Sequence, residues 1–225
     1  MESKIFNIFV VGDSHVEKWI HTNRTKSSKE YFNIIGINGH PGKTAQGMSK
    51  QSNKNLMTLA ISKHVNEIDC LIIELGEVDC GYTIWSRINR HNTTIQEEIE
   101  FATTKLMDLA KFAKKFGVKK VMLLGPIVPL VKEYGKDTPK ALWKRKEIDA
   151  THKERTQLVI DFNLTLKQKS KNNKFLYVDI NDILLDPNTG VAREKYQNKI
   201  NHHLGINVAI QLWIPKIHRL LQDEE

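Results

Sequence analysis

Cysteine is scarce in this chain, which contains only Cys70 and Cys80 among its 225 residues. Two cysteines do not make the disulfide framework of a small secreted protein. If Cys70 opens a strand that Cys80 follows, the two lie roughly 30 Å apart at about 3.3 Å per residue, too far for a bridge. A Cys-x-x-Cys pattern is absent as well, so the cysteines predict neither a disulfide nor a metal site.

Long hydrophobic runs are also absent. The apolar run Ile5–Val11 is too short to cross a bilayer, and no small-residue cleavage site follows it. We therefore expect a soluble, cytoplasmic protein without a membrane span. Hydrophobic residues make up 40% of the chain and charged residues 27%, so the combination typical of disorder, low hydrophobicity with high net charge, is missing. Length and composition predict one folded domain over residues 1–225.

The basic charge of the chain has no focus in the sequence. A net charge of +8 is able to attract an acidic glycan, a lipid head group or nucleic acid. The lysines are spread along the whole chain, however, and no basic motif interleaved with aromatic residues occurs. We interpret the charge as a solvated surface and expect no nucleic-acid partner. The sequence makes no prediction of oligomeric state.

Apolar runs alternate with helix-like stretches. Five runs are nearly continuous in apolar character, as in strands buried on both faces: Lys4–Gly12, Tyr31–Ile37, Cys70–Gly76, Lys119–Pro126 and Phe175–Ile180. Helices are predicted over Val16–His21, Thr44–His64, Ile95–Phe116, Asp137–Ser170 and Gly205–Leu221, with Pro215 kinking or interrupting the last. A loop or flap is predicted over Val128–Arg145. The alternation predicts an α/β fold with a parallel sheet, whose ligands bind at the carboxyl ends of the strands.

Four polar segments occupy such positions. They are Gly12–His15, Gly39–Thr44 and Leu75–Cys80, each after a predicted strand, and Asn201–Gly205 before the last helix. A serine such as Ser14, between a strand and a helix, stands above the sheet edge near a helix dipole that favours negative charge. Each segment alone is equally consistent with an ordinary turn or cap. The pair His202–His203 has no carboxylate or cysteine at a ligand spacing, so we expect no metal and no cofactor.

In their order and spacing, the four segments together resemble the motif blocks of the SGNH hydrolases, also called GDSL esterases. Gly12-Asp13-Ser14-His15 is similar to the block of the nucleophilic serine, and Gly42 resembles the oxyanion-hole glycine. Gly76-Glu77-Val78-Asp79-Cys80 resembles the third block, which normally reads Gly-x-Asn-Asp, and His203-Leu204 resembles the block of the catalytic histidine. The resemblance implies a three-layer, flavodoxin-like α/β/α sandwich around a five-stranded parallel sheet.

The resemblance also implies an activity. Ser14 would be the nucleophile and His203 the base of an esterase, with the amides of Ser14 and Gly42 in the oxyanion hole. Asp13, Gly76 and Asp79 would support these turns. The Gly-Glu-Val-Asp-Cys variant resembles a form of the third block associated with polysaccharides, which implies an O-acetyl ester of a carbohydrate. Hydrolysis and transfer to a sugar hydroxyl are not distinguished.

Two positions depart from the family pattern. Val78 replaces the asparagine that donates to the oxyanion, and Ile200 replaces the acid three residues before the histidine. Asn201 has an amide oxygen that could hold the imidazole, as could a backbone carbonyl, and Asp179 or Asp182 could supply a replacement acid.

These departures keep a second hypothesis open: a weak or inactive glycan-binding or scaffold module. A nucleotide-binding role for Gly39–Thr44 ranks last, because no complete P-loop is present.

Overall fold

Five short apolar segments form a parallel sheet at the centre of the molecule. The computed structural model describes residues 5–22, 31–136, 139–197 and 202–223. The strands are β1 (Phe6–Gly12), β2 (Phe32–Gly39), β3 (Cys70–Glu74), β4 (Val121–Leu124) and β5 (Leu176–Val178). They lie in the order β2-β1-β3-β4-β5, and every neighbouring pair is parallel. All five predicted strands are thus confirmed, with ends shorter or longer by a few residues.

Helices cover both faces of the sheet. They are α1 (Glu17–Thr22), α2 (Ala45–Ser49), α3 (Gln51–Ser62), α4 (Ile84–His91), α5 (Ile95–Lys115), α6 (His152–Asn172), α7 (Asn181–Leu184) and α8 (Ile206–Asp223). Helix α1 packs on α8, whereas α5 packs on α2 and α6. Every residue of β3 and β4 is buried, as expected of strands covered on both sides. The predicted α/β/α sandwich is confirmed.

Two helix predictions need correction. Lys50 has an extended backbone and divides the predicted helix Thr44–His64 into α2 and α3. The helix predicted from Asp137 begins only at His152, because Thr151 caps it and Glu154 completes a capping box. Residues 140–147 form a 3₁₀ segment instead.

Pro215 was predicted to kink or interrupt the last helix, and α8 runs through Pro215 without interruption. Proline removes one helical hydrogen bond. The helix is held there by the packing of Trp213, Ile214 and Ile217, all of which are buried.

Two further predictions concern a disulfide bond and a membrane span, neither of which is expected from the sequence. Cys70 and Cys80 are both buried and unpaired, as expected. Among the described residues, no helix combines the length and apolar character needed to cross a membrane.

Candidate active site

Ser14 lies just beyond the carboxyl end of β1, the strand between β2 and β3 in the sheet. The chain leaves the strand at Gly12 and turns into a 3₁₀ segment, Ser14–Val16, which Asp13 caps by accepting from the His15 amide at 2.9 Å. Only glycine fits at position 12, since a Cβ there would lie 2.1 Å from the carbonyl oxygen of Glu74 in β3. The close approach of β1 and β3 therefore fixes where the serine emerges.

His203 reaches Ser14 from the opposite end of the sequence. It lies in the turn before α8, and its Nε2 is 3.0 Å from Ser14 Oγ, a hydrogen-bond distance between residues 189 positions apart. Burial, together with the neighbouring His15 and His202, lowers the pKa of His203 to about 3. At neutral pH the ring is therefore uncharged, which is the form that accepts a proton.

Support for His203 from a carboxylate is not seen among the candidates that the structure describes. Asp179 accepts from the Tyr177 hydroxyl at 2.9 Å and from the Asn181 amide at 2.9 Å, so it forms a turn. Asp182 pairs with Lys216 at 2.5 Å. Ile200 and Asn201, the two positions considered from the sequence for a third member, lie outside the described residues.

Two of the predicted oxyanion positions, Gly42 and Val78, follow β2 and β3. The β2 loop contacts the end of β1, where the His40 amide donates to the Gly12 carbonyl at 2.8 Å. In the same loop, Gly42 has a φ of +72°, a left-handed conformation that favours glycine, and open space surrounds the position of a Cβ. Val78 is half-buried in the first helical turn after β3, and its side chain has no hydrogen-bonding group.

Two other residues of the third segment shape its turn. Asp79 accepts from the Ala45 amide at 2.9 Å and so ties the loop after β3 to the start of α2. Burial raises the pKa of Asp79 to about 7, and the nearby carboxylates of Asp13 and Glu77 add to the shift. Gly76 has a φ of +116°, and a Cβ at this position would lie 3.0 Å from the ring of Phe162.

Glu77, also in the third segment, is paired with a residue far away in the sequence. It forms a bidentate ion pair with Arg145, at 2.5 Å from Nη1 to Oε1 and 2.7 Å from Nη2 to Oε2. Burial alone would raise the pKa of Glu77, but Arg145 more than offsets it and holds this pKa well below its usual range. Arg145 packs over Gly81, where a Cβ would lie 2.4 Å from Nη1. No sequence signal joined residue 145 to residue 77.

Three imidazoles meet beside the serine. The ring centroids of His15 and His202 lie 4.4 Å and 4.1 Å from that of His203. His15 Nδ1 is 3.1 Å from Asp13 Oδ1. Burial lowers the pKa of His15, but the charge of Asp13 outweighs it and the net shift is upward. Burial lowers the pKa of His202 to about 4. From the sequence, only the pair His202–His203 was considered as a metal site, because the third ring comes from the first segment.

A narrow cleft of about 40 Å³ opens at this group. Ser14 and His203 form its polar side, and Ile127, Ala209 and Trp213 form its apolar wall. Lys18 and Glu74 close one side as a buried ion pair, with Glu74 also accepting from Trp19 Nε1 at 2.7 Å. A space of this size holds a few water molecules or a small acyl group.

Known proteins resemble the chain in structure and not detectably in sequence. No family model matches it, and no curated protein matches it. A GDSL-like lipase from Bacteroides thetaiotaomicron superposes with a TM-score of 0.63 at 16% identity, over 97% of this chain and 89% of that one. An acetylxylan esterase from Geobacillus stearothermophilus superposes with a TM-score of 0.56 at 13% identity, over 98% and 95%. The chain shares the fold of GDSL-type hydrolases.

Within this GDSL-type fold, the structure brings most of the sequence-predicted site residues to one edge of the sheet. Ser14, Gly42, Val78 and Asp79 follow β1, β2 and β3, and His203 joins them from the turn before α8. The arrangement provides a hydroxyl in contact with a neutral imidazole beside a small apolar cleft. Chemically, it is suited to attack on an acyl carbon.

Proposed function

We propose that this chain is a serine esterase acting on short acyl esters, within a single domain over residues 1–225. The observation that carries the proposal is the 3.0 Å contact between Ser14 Oγ and His203 Nε2. Support comes from the fold, which the chain shares with an esterase and a lipase of the GDSL type. Contact and fold together favour a nucleophile activated by a base over a capping serine.

In the proposed reaction, His203 removes the hydroxyl proton while Ser14 Oγ attacks the ester carbonyl carbon. The tetrahedral oxyanion is bound by the backbone amides of Ser14 and Gly42. His203 then gives its proton to the leaving alkoxide, which departs as the alcohol and leaves an acyl group on Ser14. Water, deprotonated by the same imidazole, releases the acid and restores the hydroxyl.

The two departures from the family pattern weaken this machinery without removing it. We propose that Asn201, through its amide oxygen, holds the His203 ring in place of an acid. In a serine protease, losing the third member of the triad costs far less than losing serine or histidine. Val78 leaves the oxyanion with one hydrogen-bond donor fewer. In comparable sites, loss of one such donor lowers kcat by about 100- to 1000-fold.

The proposed substrate is an O-acetyl ester of a carbohydrate. The small cleft beside Ser14 favours an acyl group of two or three carbons. One structural neighbour is an acetylxylan esterase, which supports a carbohydrate as the alcohol. Acyl transfer to a sugar hydroxyl would use the same acyl-enzyme and differs only in the group that attacks it.

A fluorophosphonate probe tests the proposal directly. We expect the wild-type chain to be labelled on Ser14, and the Ser14→Ala and His203→Ala variants to remain unlabelled. A folded wild-type chain that is not labelled would contradict the proposal. It would favour a glycan-binding module without turnover, the alternative to which the missing donor at Val78 points.

A further inference from the structure

The three imidazoles beside Ser14 form a donor set of their own. His15 comes from the turn after β1, whereas His202 and His203 come from the turn before α8. One ring nitrogen from each residue lies within 4.8 Å of those of the other two. Neutral imidazole is the commonest protein ligand of transition metals, and three of them make the ligand set of known zinc sites.

The orientation of His15 is that of a metal ligand. Its Nδ1 faces the Asp13 carboxylate at 3.1 Å, and its Nε2 is buried with no hydrogen-bond partner among the described residues. Only 9% of the His15 side chain is exposed. In metal sites, a ligating histidine typically gives its second ring N–H to such a carboxylate, which fixes the tautomer and aims the other nitrogen at the ion.

The charges around the cluster also suit a cation. Asp13 lies behind His15, and Glu77 Oε2 lies 3.9 Å from His202 Nε2. Arg145 balances the charge of Glu77, and Lys18 is paired with Glu74. The carboxylates of Glu77 and Glu74 are therefore each neutralised by a basic side chain. The negative charge of Asp13, which contacts His15, is left to balance the positive charge of a bound ion.

We propose that His15, His202 and His203 bind one divalent transition-metal ion of the zinc type. At Zn–N distances of about 2.0–2.1 Å, tetrahedral ligands lie roughly 3.4 Å apart. Ring rotations that shift the nitrogens by an ångström or so therefore close the site. Calcium and magnesium are excluded as the preferred ions, because both favour oxygen ligands.

Metal binding switches the serine site off, a consequence that rests on the proposed esterase function. A neutral imidazole has one N–H and one lone pair. When the lone pair of either ring nitrogen of His203 coordinates a metal, the other nitrogen carries the proton, and no lone pair remains to accept the proton of Ser14. The same ring therefore serves either as the base or as a ligand.

Zinc binding is tested first without reference to activity. Zinc chloride is titrated calorimetrically into the chelator-stripped Ser14→Ala chain. We expect one zinc per chain, and at least tenfold weaker affinity when His15→Ala or His202→Ala is added. Asp13→Asn should weaken binding by about 10- to 100-fold, as is typical when the hydrogen-bond partner of a metal ligand is lost. The control is His91→Ala, an exposed histidine at the end of α4, which should bind as the parent does.

The second arm measures hydrolysis of an aryl acetate with increasing zinc, each variant relative to its own rate in chelator. We expect zinc to inhibit the wild type reversibly. Half-inhibition of His202→Ala, or of His202→Gln as a second variant, should need at least tenfold more zinc. Absence of a one-to-one site, or affinity unchanged in both histidine variants with native circular dichroism, would overturn the metal site. Zinc binding by a chain that hydrolyses nothing would leave the site intact and refute the esterase instead.

Discussion

The site is formed by two regions that are held in place by different kinds of interaction. The strand-end region consists of residues 12–15, 40–45 and 75–80, at the carboxyl ends of β1, β2 and β3. Backbone hydrogen bonds hold it in place; one of them runs from the Asp13 amide to the Glu74 carbonyl at 3.1 Å. The cap region (residues 127–136, 139–150 and 202–205) is held by side chains, chiefly Arg145 on Glu77 and His203 on Ser14.

The difference teaches where each function resides. The strand-end region supplies the proposed nucleophile and the proposed oxyanion donors from the edge of the sheet, where ligands usually bind in parallel α/β folds. The cap region supplies the proposed base, His203, and Arg145, whose side chains contact the strand-end region at Ser14 and Glu77. Changes in the cap should therefore act through pairing, and changes at the strand ends through backbone geometry.

The largest effect is expected where the two regions meet. Ser14→Ala and His203→Ala should each reduce hydrolysis of a short-chain aryl ester at least about 1000-fold, because each removes half of a unit that acts together. Asn201→Ala should cost far less. Initial rates with p-nitrophenyl acetate check this, alongside melting temperatures to show that the variants are folded. Activity retained in Ser14→Ala would mean that another residue is the nucleophile.

The next effect concerns the ion pair that docks the cap region. Arg145→Ala should lower the free energy of unfolding by about 3 kcal/mol, because Glu77 would be left as a buried charge without its partner. The side chains of both residues are less than 15% exposed, at 8% for Arg145 and 13% for Glu77. Replacing both by methionine should cost less than Arg145→Ala alone.

Urea unfolding of the wild type, Arg145→Ala and the double methionine variant measures these differences. The matched control is Arg219→Ala, which breaks an ion pair on the surface of α8 whose arginine is 86% exposed. It should leave the free energy of unfolding unchanged within error. Equal effects of Arg145→Ala and Arg219→Ala would show that the cap is not anchored by this pair.

A smaller effect is expected at Val78, in the strand-end region. Val78→Asn should raise ester turnover about tenfold, a fraction of what a well-placed oxyanion donor contributes. It should also lower the free energy of unfolding by about 1 kcal/mol, because the asparagine amide has no hydrogen-bond partner in the enzyme without substrate. The kcat and the melting temperature are measured on both proteins. Unchanged turnover in a folded variant would mean that a backbone amide already occupies the donor position.

The last expected effect is a slope in stability against pH. The pKa of Asp79 is about 7 in the folded chain, above the unfolded value of about 3.9. The folded state therefore holds this proton more tightly, so its stabilising effect is complete below about pH 4 and is lost as the pH rises to about 7. The slope from this one group is at most about 1.4 kcal/mol per pH unit.

Asp79→Asn should remove this slope, whereas Asp223→Asn, at the exposed end of α8, should not. The difference between wild type and Asp79→Asn isolates the group, because His203 has a lowered pKa and shifts stability in the opposite sense. Unfolding free energies from pH 4 to 7 provide the measurement. Parallel curves for wild type and Asp79→Asn would rule out the raised pKa.

The two regions also differ in how far the sequence predicted them. Apolar runs located all five strands, and the strand ends located Ser14 and Asp79, because the residues after each strand of a parallel sheet emerge at the same edge. Helix α4 was missed. The segment before it, Asp79–Thr83, is a π-helical turn. This turn contains Gly81, and glycine disfavours a regular helix.

In the cap region, the sequence indicated a loop over residues 128–145 but neither the Arg145 contact nor the three-imidazole cluster. Both are pairings between distant residues with no periodicity to reveal them. His15 is the clearest example. It belongs to the motif that identified Ser14, yet its proximity to His202 depends on how the chain folds back across the sheet.

The contact between Ser14 and His203 also orders events in time. It closes a loop of 189 residues, so it is among the last contacts available to a chain that emerges from the ribosome amino end first. The serine is exposed at the end of β1 long before the imidazole that would deprotonate it has been synthesised. A nascent chain thus carries the proposed nucleophile without its proposed base, and the pair forms only when the segment preceding α8 has docked.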